Sequence, residues 1–266
     1  MDLEQQSFDP EVFFSTFWRK RPMYIRGGAA EFLGRTWSDA DFATAHRRAL
    51  ASGHPVAERE DEVTFIERVS EFDEDLAARA ARFRTMFGLP KIWFDSVRTH
   101  SPSGIGAHFD HSDNFVLQQS GVKEWSLAAP SHISKETIVR RMMNYPGVGG
   151  HPLPDEDIVH FTVEPGDLLY IPLLWLHSGV SHAESLSISL VCPAVSLNSA
   201  VMPFLAQVMQ SRGLGHQPIP ALHSGLSEDA HAEAVASISR ATRALLSRMS
   251  DDDLAEAVLE MQSRHL

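Results

Sequence analysis

Cysteine occurs once in the chain, at position 192, which excludes an intrachain disulfide and suits a reducing compartment such as the cytoplasm. No stretch reaches eighteen apolar residues, so no membrane-spanning helix is expected. Basic residues are scarce: 23 Lys and Arg face 35 Asp and Glu, a formal charge of −12. That deficit weighs against non-specific nucleic-acid binding as the main task. Solubility is its plain explanation, and a cationic or neutral partner comes second. The start, Met1-Asp2-Leu3-Glu4-Gln5-Gln6, is acidic and polar, unlike a secretory signal. Tyrosine is limited to Tyr24, Tyr145 and Tyr170. What remains is an ordinary globular composition, 43% apolar over 266 residues, enough for one β-rich domain with added helices.

The most informative stretch is Gly106-Ala107-His108-Phe109-Asp110-His111-Ser112-Asp113-Asn114-Phe115. Alternate residues of a strand share a face, so His108 and Asp110 can aim an imidazole and a carboxylate at one point. Two ligands do not make a metal site. The best third candidate ends the run Pro165-Gly166-Asp167-Leu168-Leu169-Tyr170-Ile171-Pro172-Leu173-Leu174-Trp175-Leu176-His177, where a turn and an apolar strand deliver His177. Two His and one carboxylate with open positions beside them suit non-haem iron(II). His111 and His182 lie nearby in the wrong register and read as neighbours.

From Lys91 the apolar period falls towards two, and eight short strands are expected: Lys91–Thr99, Gly106–Phe109, Asn114–Gln119, Val122–Ala128, Val159–Val163, Asp167–Ile171, Leu176–Ser181 and Leu186–Val191. Such a series suggests a double-sheet jelly roll. Before it, helices are expected over Glu11–Trp18, with Phe13, Phe14, Phe17 and Trp18 inward, over Asp39–Ser52 behind the cap Ser38, and over Asp73–Phe87. Short strands are expected at Val56–Glu58 and Val63–Ile66. After it, helices are expected over Ser199–Gln210, Ser227–Arg248 and Leu254–Arg264. The insert Ser131–Ile158 reads either as a lid or as a passive surface loop. This divides the chain into an N-terminal α/β region (1–90), a jelly-roll core (91–196) and a C-terminal helical extension (197–266). The apolar stripes of that extension are expected to join two copies in a homodimer.

At these residues the chain resembles the JmjC-type iron(II)/2-oxoglutarate oxygenases of the cupin superfamily. Within them it is most similar to the protein-hydroxylase branch that includes the asparaginyl hydroxylase of hypoxia-inducible factor and the ribosomal oxygenases. The resemblance runs from about Phe13 to Pro193 and is densest in His108–Pro130 and Glu164–His177. It implies a double-stranded β-helix with the segment Arg19–Gly28 as its entry strand, and His108, Asp110 and His177 as both metal ligands and catalytic centre. It implies Lys123, fifteen residues after His108, as partner of the distal carboxylate of 2-oxoglutarate, and Asn114 as an amide near that cosubstrate. Two family contacts are missing. Ile105 stands where a hydroxyl is usual, and Val191 or Cys192 where a second amide is usual, so Thr99, Ser187 and Ser189 become the candidates to replace them.

The implied activity is hydroxylation of an unactivated C–H bond in a protein or peptide side chain or an amino-acid-like molecule, consuming O2 and releasing succinate and CO2. N-methyl demethylation is the alternative; the lack of an evident aromatic cluster beside the ligand strands weighs against it, and Trp93, Trp125 and Trp175 read as packing. A non-catalytic metal-binding cupin and a zinc or manganese cupin isomerase are the remaining readings. The pattern of a winged-helix tail is not apparent, which weighs against a ribosomal protein as substrate.

Overall fold

A computed structural model describes residues 3–59, 62–143, 149–194, 201–216, 218–222 and 224–265, the side chains from 261 onward excepted. The chain forms two compact units, Met1–Ala194 and Val195–Leu266. The expected jelly roll is found in the first. Its strands are β1 (Glu4–Gln5), β2 (Met23–Ile25), β3 (Val56–Arg59), β4 (Val63–Ile66), β5 (Trp93–Thr99), β6 (His108–Phe109), β7 (Ser112–Ser120), β8 (Lys123–Ala128), β9 (Ile158–Val163), β10 (Leu168–Ile171), β11 (Leu176–Ser181) and β12 (Ser185–Pro193). An eight-stranded sheet runs β1-β2-β10-β7-β12-β5-β4-β3, and a four-stranded sheet runs β6-β11-β8-β9. All eight expected barrel strands are present with shifts of a residue or two at their ends.

The two sheets face each other across a core of Tyr24, Val116, Leu127, Val163, Leu169 and Ile171. These residues alternate along their strands with others that face away, as a two-sided sheet requires. Pro165-Gly166 turns the chain into β10, and Asp167 ties that turn down. Its carboxylate accepts the Tyr24 hydroxyl and the N–H groups of Gly27 and, at 2.9 Å, Glu164. Asp113 does the same at the other end of β10. Fully buried, it accepts the Tyr170 hydroxyl at 2.7 Å and the Leu173 N–H at 3.0 Å, and pairs with Arg19 at 3.0 Å. The basic run at Arg19 thus closes onto the barrel.

Three helices support the large sheet: α1 (Ala29–Leu33), α2 (Asp39–Ala51) and α3 (Glu74–Phe87). Ser38 and Asp41 form a reciprocal capping box at the start of α2. Asp73 caps α3, which ends at Gly88 in the left-handed conformation. The expected first helix differs. A single turn at Pro10–Val12 passes into a π-helical turn, Phe13–Phe17, which buries Phe13 and Phe17 and leaves Phe14 exposed. The wider turn rotates alternate aromatics out of the stripe that a 3.6-residue period would have made.

The insert holds an unexpected helix, α4 (Lys135–Met142), capped by Ser134. Its residues 144–148, with Tyr145, lie outside the described residues. The second unit contains α5 (Met202–Ser211), α6 (Glu228–Leu246) and α7 (Asp251–His265). Phe204, Leu205 and Val208 of α5 pack with Ala257 of α7. Ser199, where the first of these helices was expected to begin, lies outside the described residues.

Candidate metal centre

β6 and β11 place His108 and His177 directly opposite each other in antiparallel register. Opposed residues of an antiparallel pair point to the same face. Asp110 lies two residues after His108, just beyond the end of β6. The three side chains converge: the Nε2 atoms of His108 and His177 are 3.1 Å apart, and Asp110 Oδ2 lies 3.8 and 3.7 Å from them. Among the described residues this is the group of three ligand-type side chains gathered closely enough to hold one ion.

The outward ring nitrogens set the tautomers. His108 Nδ1 meets the Gly106 carbonyl at 2.9 Å and His177 Nδ1 meets the Trp175 carbonyl at 2.8 Å. A carbonyl only accepts, so each Nδ1 carries a proton, and in a neutral ring that leaves Nε2 with its lone pair. Two lone pairs facing each other at 3.1 Å form no hydrogen bond. They do fit one cation: two nitrogens at about 2.1 Å from a single ion, at a right angle, lie about 3.0 Å apart. Burial drives the His177 pKa down to about 4, so the ring is neutral as a ligand must be. Burial alone would raise the Asp110 carboxyl; the charge of His177 and His108 in their protonated form, and of Arg141 beside it, hold it below the ordinary carboxylate range. Neutral imidazoles and an ionised carboxylate are the donor set that suits iron(II).

The backbone between the ligands is held under strain. Leu174 adopts φ +65, a left-handed conformation costly for a branched side chain, and its N–H donates to the Asp110 carbonyl at 3.0 Å. That bond ties the turn before His177 to the turn after His108.

A cavity of about 530 Å³ opens over the three side chains. Trp93, Asp95, Trp125, Asn114, Ser189 and Val191 are among its lining residues. Of the tryptophans expected to serve as packing, Trp125 and Trp175 do pack against the core, and Trp93 and Trp125 also line the cavity. The indole of Trp125 needs Gly179 opposite it: a Cβ there would sit 2.9 Å from the ring. Asp95 carries a carboxyl pushed up to about 7, chiefly by burial; the Arg68 N–H at 2.6 Å works against that rise and the charge of Glu67 adds to it.

Lys123 lies on the inner face of β8, in the alternation Lys123, Trp125, Leu127 that faces Ser181, Gly179 and His177 of β11. It is 3% exposed. Its Nζ reaches Ser187 Oγ at 3.5 Å and sits 5.7 Å from the Trp125 ring centroid, and no carboxylate pairs with it among the described residues. Burial lowers its pKa to about 8. Of the three hydroxyls considered as replacements, Ser187 is the one beside this ammonium; Ser189 lines the cavity and Thr99 is buried with its hydroxyl unpartnered.

Asn114 lines the same cavity, and its amide Nδ2 donates to Asp110 Oδ2 at 3.1 Å. His111 lines the cavity outside the cluster, and His182 is exposed and pairs with Glu124 at 3.0 Å. One residue at the site had no signal in the sequence: Arg141 of α4, whose Nη2 lies 3.0 Å from Asp110 Oδ1.

A jelly roll whose facing strands bring two imidazoles and a carboxylate together under a cavity has the fold of the cupin barrels and a side-chain cluster that could hold a metal ion. Residues 84–199 match the family model of the JmjC domain. It is 26% identical over 206 residues to a probable ribosomal oxygenase of Haemophilus influenzae, covering 68% of this chain and 48% of that protein. It is 23% identical over 224 residues to the ribosomal protein uL16 3-hydroxylase of Escherichia coli, covering 76% of this chain and 57% of that one. The chain thus spans about half the length of these relatives. Among solved structures, YcfD, a ribosomal oxygenase from Escherichia coli in complex with cobalt and 2-oxoglutarate, superposes with a TM-score of 0.61 at 19% identity, over 97% of this chain and 72% of that one. No helix among the described residues is long and apolar enough to cross a membrane.

Proposed function

We propose that the protein is an iron(II)- and 2-oxoglutarate-dependent dioxygenase that hydroxylates a carbon of a protein or peptide side chain, with release of succinate and CO2. The observation that carries this reading is the buried, unpaired Lys123 on the same inner barrel face as the His108, Asp110 and His177 cluster. A buried ammonium without a counter-ion is costly. An anionic cosubstrate relieves that cost. Ser181, opposite Lys123, is four residues from His177, roughly 13 Å along the strand at ~3.3 Å per residue, and the lysine side chain and a five-carbon dicarboxylate together bridge that span.

In this reading His108, Asp110 and His177 hold the iron, and Lys123 with Ser187 orients the distal carboxylate. Bound iron with 2-oxoglutarate supplies oxygen activation coupled to decarboxylation of the cosubstrate. Asn114 steadies the Asp110 carboxylate that it touches, and Trp125 and Val191 keep water from the inner cavity. Region 1–90 supports the core 91–196. The extension 197–266 joins two copies through Val235 and Leu246 of α6 and Leu254 and Val258 of α7, all exposed. A cytoplasmic location agrees with the lone buried thiol. The relatives' names bring ribosomal proteins forward as the first substrates to test.

N-demethylation is a second reading, and one observation favours it: Phe65, Trp93, Trp125 and Asp95 share the cavity wall, aromatic faces with an acceptor that suit a methylammonium group. The experiment is anaerobic reconstitution with iron(II), then oxygen-dependent turnover of 2-oxoglutarate with mass spectrometry of candidate proteins. Gain of one oxygen atom is the expected result. Loss of a methyl group with formaldehyde release selects the second reading, and absence of both metal binding and succinate formation rejects the oxygenase.

A further inference from the structure

The insert between β8 and β9 is built onto the strands that carry the histidines. Phe109 and Leu176 alternate with His108 and His177 and so face away from the cluster. Ile133, Ile138 and Leu153 of the insert pack against them and Ala128. Its returning segment then grips the edge strand β6: the Phe109 N–H donates to the Gly149 carbonyl at 3.1 Å, and the His151 N–H to the Ala107 carbonyl at 3.2 Å. Between these two anchors lies Arg141, in the last turn of α4. Its guanidinium has Asp110 Oδ1 on one side, at 3.0 Å, and the backbone of Gly149 on another, where a Cβ would come within 3.4 Å of Nη1.

The two oxygens of Asp110 are therefore divided. Oδ1 is taken by Arg141, a charge-assisted bond from a group that stays protonated. Oδ2 receives the Asn114 amide at 3.1 Å and faces both imidazole Nε2 atoms. A carboxylate free to rotate can offer both oxygens to one cation and so fill an extra position; one held by its far oxygen offers a single atom.

We infer that Arg141 is the positioning residue that makes Asp110 a one-oxygen ligand, so that the insert helix sets how many coordination positions stay open for cosubstrate and O2. This rests on the metal-centre reading proposed above. It also assigns the insert a role in the site that neither a lid nor a passive loop would have.

The test uses the full chain and cobalt(II), whose visible absorption reports coordination number and whose affinity is measured by competition with a chelator. Loss of a group that orients a ligand typically weakens metal binding by about 10–100-fold. Arg141→Ala is expected to lose affinity in that range and to shift the cobalt spectrum towards a higher coordination number. Arg141→Lys keeps a cation but loses the planar fork, and is expected to recover part of the affinity; it also serves if the alanine variant fails to fold. Wild-type affinity and spectrum in both variants would overturn the inference while leaving the metal centre intact. A wild-type protein that binds no cobalt, like His108→Ala, would overturn both.

Discussion

Replacing Lys123 by Met should make the ligand-free protein more stable while disabling its use of cosubstrate. The change keeps most of the apolar stem and removes the ammonium. Burial lowers the Lys123 pKa from the ordinary 10.5 to about 8, a difference worth about 3 kcal/mol at ~1.36 kcal/mol per pH unit. The sign follows from which state holds the proton. Below pH 8 the lysine is charged in both folded and unfolded chains, and the folded chain carries the whole cost. Between pH 8 and 10.5 the folded chain sheds the proton first and the cost fades; above that it is gone. Lys123→Met should therefore raise the thermal midpoint at pH 7 by up to roughly 6–12 °C, at about 2–4 °C per kcal/mol for a unit of this size, and the gain should vanish near pH 10.5. In the same variant, with manganese in the metal centre, affinity for 2-oxoglutarate should fall about 10²–10⁴-fold, since breaking a buried charge pair costs roughly 3–5 kcal/mol. Calorimetric melting across pH and titration with 2-oxoglutarate measure the two effects. A variant that melts lower than the wild type at pH 7, or binds 2-oxoglutarate equally well, would refute the reasoning.

Four other outcomes are expected. His108→Ala and Asp110→Ala should each abolish bound iron and turnover with the circular dichroism of the fold retained; metal analysis of the purified variants decides it. Asp95→Asn should stabilise the protein by up to about 4 kcal/mol, from the carboxyl's rise to about 7: the gain should be absent near pH 4, grow as pH rises and level off above 7, and a flat pH profile would contradict it. Gly179→Ala should cost about 1–3 kcal/mol by driving a methyl into the Trp125 ring, read as a lower midpoint in denaturant. Val235→Glu combined with Leu246→Glu should turn a dimer into a monomer in light scattering, and a wild-type monomer would remove the dimer from the account.

The barrel and the cluster were legible because both rest on alternation. A period of two announces strands, and His108 and His177 sit where that period sends them to one face, with Asp110 following just past the end of β6. What the sequence concealed depends on register or on distance. Trp93 and Trp125 lie in strands, but only the pairing of Trp125 with Gly179 and of Trp93 with Val191 tells which side of the sheet they face. Arg141 is 31 residues from Asp110 in sequence, on a short helix within a stretch that read as a loop, so no motif connected the two. Asn114, expected beside the cosubstrate, lines the cavity and also donates its amide to Asp110, a contact that no motif encodes.

β6 is two residues long, lies at the edge of its sheet, and is joined to β11 only through Phe109–Leu176 and His108–His177. So short a ladder is weak by itself. An ion held by His108 and His177 would act as a crosslink between the two strands, adding to the backbone bonds and the apolar packing of Phe109 and Leu176 that already join the ends of a loop of some seventy residues. Loading the centre and ordering the cavity's rim are then one event, and the amides of His108 and His177, the opposed pair that spans the two strands, become its reporters: slow to exchange with solvent deuterium when the ion is in place, and among the first to open when it leaves.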